Sequence, residues 1–297
     1  MLLDKKIPAW YFLKEVKVEL TIVILLSMVI DYISLHFKHV LPEMPFPIPA
    51  FLGTAITILL SFKLNQSYDR WWEARKAWGA IVNDSRSLIL QLQTLVKEGN
   101  EMEIKGVAYR QIAWCYALGQ SLRGLDPLEN TQAFLTEADK VSLEKNYNKP
   151  LAILQLNAAG IRELKARQQL DVYSHIQLDD TLVRLCDSMG KAERISSTIF
   201  PSTYRMLLHF IIYLFVVTLS FALKDVNPIF EIPLLILISI CFFLLEKTAS
   251  HLKNPFSNSP SDTPVTAIAR NIEINIRQLL GETEIPSPMP AGPFYIL

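Results

Sequence analysis

Two pairs of long apolar stretches, one pair near each end of the chain, constrain the fold more than any other feature. The first pair covers residues 18–37 and 48–62, the second 206–223 and 229–245. Each is a nearly unbroken run of Leu, Ile, Val and Phe, close to the ~17–25 residues that cross a bilayer as a helix. Between the pairs lies a long charged stretch with helical patterning. The expected fold class is all-α: an integral membrane protein with four transmembrane helices and a large cytosolic helical domain. Composition agrees. Hydrophobic residues make up 51% of the 297, the upper edge for a globular chain. The 20% of charged residues is too many for a chain lying wholly in lipid.

The same layout predicts the domain divisions. Residues 1–17 form a cytosolic amphipathic segment and 18–64 hold spans one and two. Residues 65–204 form the cytosolic helical domain, 205–249 hold spans three and four, and 250–297 form a cytosolic C-terminal segment and tail. The N-terminal residues do not read as a signal peptide, because Lys14, Glu15, Lys17 and Glu19 interrupt the apolar run and no small-residue cleavage site follows it. Trp10, Tyr11 and Phe12, beside Lys5, Lys6 and Lys14, suit a membrane interface.

Several function classes fall away. Twenty-nine basic residues balance 29 acidic ones, so no basic face points to nucleic acid. Cys115, Cys186 and Cys241 lack CxxC spacing, which argues against a disulfide scaffold or a zinc site. His36, His39, His175, His209 and His251 form no HExxH pattern, and no GxSxG, P-loop or GxGxxG is present. No metal, cofactor or catalytic residue is expected, and an enzyme is disfavoured. Weight shifts to a channel, a transporter or a membrane-anchored scaffold. A secondary transporter would need paired broken helices and buried coupling acids, which the spans lack.

Positive charge fixes the expected orientation. Lys5, Lys6, Lys14, Lys17, Lys63, Arg70, Arg75, Arg194, Arg205, Lys247 and Lys253 all flank the membrane on one side. The connections on the other side, residues 38–45 and 224–228, are short. Both termini and the central body are therefore expected in the cytoplasm. Asp31 and Glu231 fall near the outer boundary and are read as headgroup-level acids, with a functional role as the alternative. Lys63 and Glu246 are read as snorkelling at the inner ends.

In the body, Trp71, Arg75, Trp78 and Val82 recur at helical spacing. Glu73 and Lys76 can pair along the helix. Further helices are expected over about 103–122, 131–145, 149–158, 179–197 and 267–280. Asp126-Pro127 marks a break. The second span starts with Pro47 and Pro49, tolerated in a first turn, and Gly53 permits close helix approach. Ile48, Leu52 and Ile56 share one of its faces, as packing or lipid-facing aliphatics on periodicity alone.

The run Ser67-Tyr68-Asp69-Arg70-Trp71-Trp72-Glu73-Ala74-Arg75-Lys76-Ala77-Trp78-Gly79 resembles the bestrophin family, specifically its bacterial branch. The likeness continues in Asn83-Asp84-Ser85-Arg86, Glu193-Arg194-Ile195, Pro201-Ser202-Thr203-Tyr204 and Asn254-Pro255-Phe256. It implies a homopentameric ion channel in the bacterial cytoplasmic membrane, with membrane lipids and monovalent ions as its partners. In such a channel the second span lines a hydrophobic neck, and a cytosolic vestibule ends in a narrow aperture. The resemblance places the neck on Ile48, Leu52 and Ile56; aligning on Gly53 places it on Phe46, Ala50 and Thr54. The first set is preferred because a dewetting gate needs apolar side chains. The aperture is expected at Ile176. The motif residues Tyr68, Asp69, Arg70, Trp71, Trp72, Glu73, Arg75 and Trp78 are expected to pack helices together with cation–π support, not to touch ions.

Two departures qualify the resemblance. Animal bestrophins follow Asn-Pro-Phe with an acidic run that binds Ca²⁺. Here Ser257 to Pro264 contain a single carboxylate, Asp262, too few oxygens for a high-affinity calcium clasp. Lys63 stands where the bacterial pattern usually has Arg. Chloride, as in the animal proteins, and sodium, as in one bacterial relative, both remain open, because an uncharged neck suits either.

Overall fold

The structure is a computed structural model that describes residues 8–37, 43–198, 202–224, 226–292 and 294–296. Lys5 and Lys6, the first connection from Lys38 to Pro42, Pro201, Asp225 and Leu297 lie outside the described residues. Among the described residues every regular element is a helix, and there is no β-strand. The helices are α1 (Ala9–His36), α2 (Pro47–Leu95), α3 (Glu101–Leu122), α4 (Glu137–Glu144), α5 (Lys149–Ala166), α6 (Val172–Ser197), α7 (Ser202–Ala222), α8 (Pro228–Lys253) and α9 (Val265–Leu279). Four of them, α1, α2, α7 and α8, are long and apolar enough to cross a membrane.

The chain divides into two compact units. The first comprises Lys6–Arg70 with Ile199–Asn254 and holds α1, the first half of α2, α7 and α8. Helix α8 packs on α1 and α7, and α1 packs on α7. The shared core draws Val16 and Val23 from α1, Ile56 and Leu60 from α2, Ile212 and Val216 from α7, and Leu235 and Phe243 from α8. Elsewhere these helices expose large apolar side chains such as Leu25, Met28, Phe210 and Leu237, as a surface meeting lipid or another helix does. With 28 residues, α1 is about 42 Å long, more than the ~30 Å hydrocarbon thickness. Residues 9–17 of the N-terminal segment and span one therefore form one helix.

The second unit comprises Trp71–Thr198 and Pro255–Leu297. Helix α3 lies at its centre, packed on α5, α6 and α9. Thirteen of its 22 residues are buried, and residues 111–119 are buried all round, as in the middle of a central helix. Between α2 and α3 a buried polar chain runs through this core: Gln111 Nε2 donates to Ser85 Oγ at 2.9 Å, and Asn157 Nδ2 of α5 donates to Gln111 Oε1 at 3.2 Å.

Several sequence expectations need correction. The second span and the helix that follows it are one 49-residue helix, α2, because no Pro or cap interrupts residues 54–95 and the one glycine there, Gly79, is tolerated within a long helix. The helix expected over 131–145 is only α4: Thr136 caps it in a reciprocal box with Asp139, and Asn130 has a left-handed φ of 65°. Helix α6 starts seven residues earlier than expected, capped by Asp171, whose carboxylate accepts from the Tyr173 and Ser174 amides. Helix α5 runs on to Ala166. Glu73 accepts from Arg194 at 2.8 Å, a contact from another helix that takes the place of Lys76.

Candidate ion pathway

Helix α2 carries the candidate neck, and its faces are set by what the protomer buries. Pro47 and Pro49 occupy the first turn, where their missing N–H groups cost nothing. A Cβ on Gly53 would stand 3.3 Å from the Phe215 ring, so this side of α2 lies tight against α7. Ile56, Leu60, Lys63 and Ser67 continue the same side at steps of three and four, and all are buried. Tyr204 of α7 donates its hydroxyl to the Leu59 carbonyl at 2.9 Å, which fixes the register.

This arrangement separates the three expected neck residues. Ile56 is 0% exposed, enclosed in the protomer core, and Leu52 packs against that core; only Ile48 is exposed. A side chain with no surface in the protomer cannot line a shared axis. The open face is instead the register of Phe46, Ala50 and Thr54, and it continues at steps of four through Ile58 (52% exposed) and Phe62 (61%). Thr57, Ser61 and Asn65 lie on the same exposed half of the helix. The hydroxyls of Thr54, Thr57 and Ser61 donate back to the carbonyls of Ala50, Gly53 and Thr57 at 2.9–3.0 Å, so none is left unsatisfied in an apolar setting.

Ile176, the candidate aperture residue, lies in the second unit. It is 59% exposed on the second turn of α6, near exposed Val172 and Tyr173. The Asp171 cap holds this turn in place. Its carboxyl sits below the usual carboxylate range, chiefly through the Ser174 hydroxyl and amide.

The motif residues divide by role. Trp78 is wholly buried, in line with Ala74, Ile81 and Ser85 of α2. Trp71 donates its indole N–H to the Ser261 carbonyl at 3.0 Å and stacks with Trp72, ring centroids 6.3 Å apart. Glu73 is tied to Arg194, and Arg75 is half-buried. Tyr68, Asp69 and Trp72 are exposed in the protomer, and Arg70 is half-buried.

One polar site in the spans departs from the sequence expectation. Lys63 and Glu246 do not snorkel: Nζ donates to Oε1 at 2.6 Å, with side chains 2% and 1% exposed. Ser250 also donates to that oxygen, and His209 Nε2 lies 3.3 Å from the other. Next along α8, Lys247 pairs with Glu19 at 2.7 Å and His251 meets Glu15 at 3.1 Å, both from α1. Glu231, in the first turn of α8, is also engaged within the protein. It is buried and accepts from Ser220 Oγ at 2.6 Å. The available signal was the rule that intramembrane charges of opposite sign seek each other.

Four helices long and apolar enough to cross a bilayer, one of them presenting an uncharged, hydroxyl-bearing face, define a multi-span membrane protein. The family described as Bacterial/Fungal Bestrophin protein matches residues 11–278, and the chain belongs to it. Among its relatives is the voltage-dependent anion channel-forming protein RSc3414 of Ralstonia nicotianae, 27% identical, with 93% of this chain and 91% of that protein covered. The voltage-dependent anion channel-forming protein YneE of Escherichia coli K12 is 29% identical, with 95% and 93% covered. Among solved structures, that of a bacterial bestrophin homologue from Klebsiella pneumoniae matches with a TM-score of 0.85 at 25% identity, over 91% of this chain and 100% of that one.

Proposed function

We propose that this chain is the protomer of a homopentameric channel that passes monovalent anions, chloride foremost, passively across the bacterial cytoplasmic membrane. The observation that carries this reading is the exposed face of α2. Thr54, Ile58 and Phe62 are uncharged and exposed in the protomer, with Thr57, Ser61 and Asn65 on their flank. Lipid does not call for an amide and three hydroxyls on one face, whereas a pore does. Rings of Ile58 and Phe62 cannot replace an ion's hydration shell. When narrow they exclude water, and a small widening wets them. Large, weakly hydrated anions cross such a neck at the least cost.

The neck is thus assigned to Thr54, Ile58 and Phe62 and the cytosolic aperture to Ile176. Residues 65–204 and 250–297, with both termini, are assigned to the cytoplasm. Lys14, Lys17, Lys63, Arg70, Arg205, Lys247 and Lys253 support that orientation through the positive-inside bias. Conduction needs no calcium in this reading. Asp262 is wholly buried, its Oδ1 accepts from Ser257 and Ser259, and a single carboxylate is too few oxygens for a calcium clasp.

The deciding experiment is the reversal potential of the purified protein in planar bilayers under a KCl gradient. A value near the chloride equilibrium potential is expected. A value near the potassium potential would refute anion selectivity, and a saturable flux coupled to a second solute would make the protein a transporter.

A further inference from the structure

The second unit holds a half-open cavity of about 490 Å³ between α3, α9 and the segment after α9. That volume lies within the range of small-molecule sites. One wall is aromatic: Phe134 stacks on Tyr116, with centroids 6.0 Å apart and an interplanar angle of 10°. Ala269 of α9 and Met289 of the tail add apolar surface.

The charged residues of the lining are Arg270, Arg277 and Glu273, two positive against one negative. Glu273 is already engaged, because Oε2 accepts from the Tyr116 hydroxyl at 2.7 Å and Oε1 from Arg277 Nε at 3.0 Å. Arg270 reaches Glu273 only through Nη1, at 3.4 Å. Its Nε is buried without a hydrogen-bond partner, and so is Gln120 Oε1 in the same lining. Buried N–H groups without acceptors are rare, and each calls for a cause. The Gln120 amide can present its NH₂ in place of its oxygen by a half-turn. The cavity therefore offers an arginine N–H and an amide N–H beside an aromatic wall.

We propose that this cavity binds an aromatic monocarboxylate. The carboxylate accepts from Arg270 and from the turned Gln120 amide, a charge-assisted arrangement. The ring lies in the apolar part of the cavity, walled by Phe134, Tyr116, Ala269 and Met289. Because Pro286 and Met289 are part of the wall, such a ligand also fastens the tail to α3 and α9. The proposal stands on this unit alone and does not depend on the channel reading.

The test uses the full chain in nanodiscs with 3-phenylpropionate as probe, and acetate and 3-phenylpropylamine as controls at equal ionic strength. Saturable binding of 3-phenylpropionate below about 10 mM is expected, at least tenfold weaker in Arg270→Gln. The probe should also slow maleimide labelling of the thiol in Met289→Cys. No saturable binding, equal binding by Arg270→Gln, or equal binding of the amine would overturn the proposal. Acetate binding as tightly as the probe would overturn the aromatic part. The Met289→Cys labelling keeps the test decisive if Arg270→Gln does not fold.

Discussion

Lys63 and Glu246 stand 183 positions apart in sequence and meet at 2.6 Å, both almost completely buried. Their pairing ties α2 to α8, and His209 of α7 lies 3.3 Å from the second Glu246 oxygen. A buried ion pair adds little over a well-packed apolar pair, but losing one partner strands a charge in a low-dielectric setting. The pair is thus a specificity device for helix pairing more than a source of net stability.

The first prediction follows from that asymmetry. Lys63→Met should lower unfolding stability by about 3–5 kcal/mol, and Lys63→Met with Glu246→Leu should recover most of it. Thermal melting in detergent reads both. Equal melting of the single and double variants would show that the pair does not act as a unit.

The two faces of α2 should respond differently to truncation. Ile56→Ala should cost about 2–5 kcal/mol, because it opens a cavity in the core. Ile58→Ala should leave melting nearly unchanged and raise single-channel current. If Ile56→Ala raises current at unchanged stability, the neck lies on the other face and the assignment to Thr54, Ile58 and Phe62 fails.

Trp78 and Trp72 offer a second contrast within the family motif. Trp78→Ala should destabilise by about 3–5 kcal/mol, since the ring is wholly buried. Trp72→Ala, exposed in the protomer, should change monomer-level stability by less than about 1 kcal/mol. Chemical denaturation of the two variants side by side decides the point.

Asp139 sets a pH dependence outside the spans. Burial pushes its pKa up, but hydrogen bonds from Arg110 and Thr136 outweigh that and hold the carboxyl below its usual value. A depressed folded-state pKa means the stabilisation is fully present above the unfolded value of about 3.9. It is lost as pH falls through the folded value. Asp139→Asn should therefore melt lower than the parent at pH 7 and converge on it in acid. A constant gap between the two across that range would contradict the linkage.

The thiols should sort by environment. Burial lifts Cys115 to about 12, so it carries almost no thiolate at neutral pH. Cys186 is exposed on α6. Water-soluble maleimide should label Cys186 in the native protein and reach Cys115 only on unfolding, as mass spectrometry of peptides would report.

Much of the architecture was legible because it depends on local quantities. The length and hydropathy of 18–37, 48–62, 206–223 and 229–245 sufficed for four membrane helices, since a bilayer acts on each segment separately. The run from Tyr68 to Trp78 was enough to name the family. Helix starts were less legible. Thr136 and Asp171 each end a loop with a capping side chain, a signal present in the sequence but weaker than the apolar periodicity around it.

The neck register could not be settled from the chain as a string. A hydrophobic gate and a hydrophobic core ask for the same residue types, so choosing the most aliphatic stripe selected Ile56, which the protomer keeps for itself. Gly53 against Phe215 and Tyr204 on the Leu59 carbonyl decide which way α2 faces. Likewise, nothing local distinguishes a snorkelling lysine from one that meets a carboxylate on another helix. Hydropathy and length act within a segment and are written in it; facing and pairing arise between segments distant in sequence, and exist only once the helices have packed.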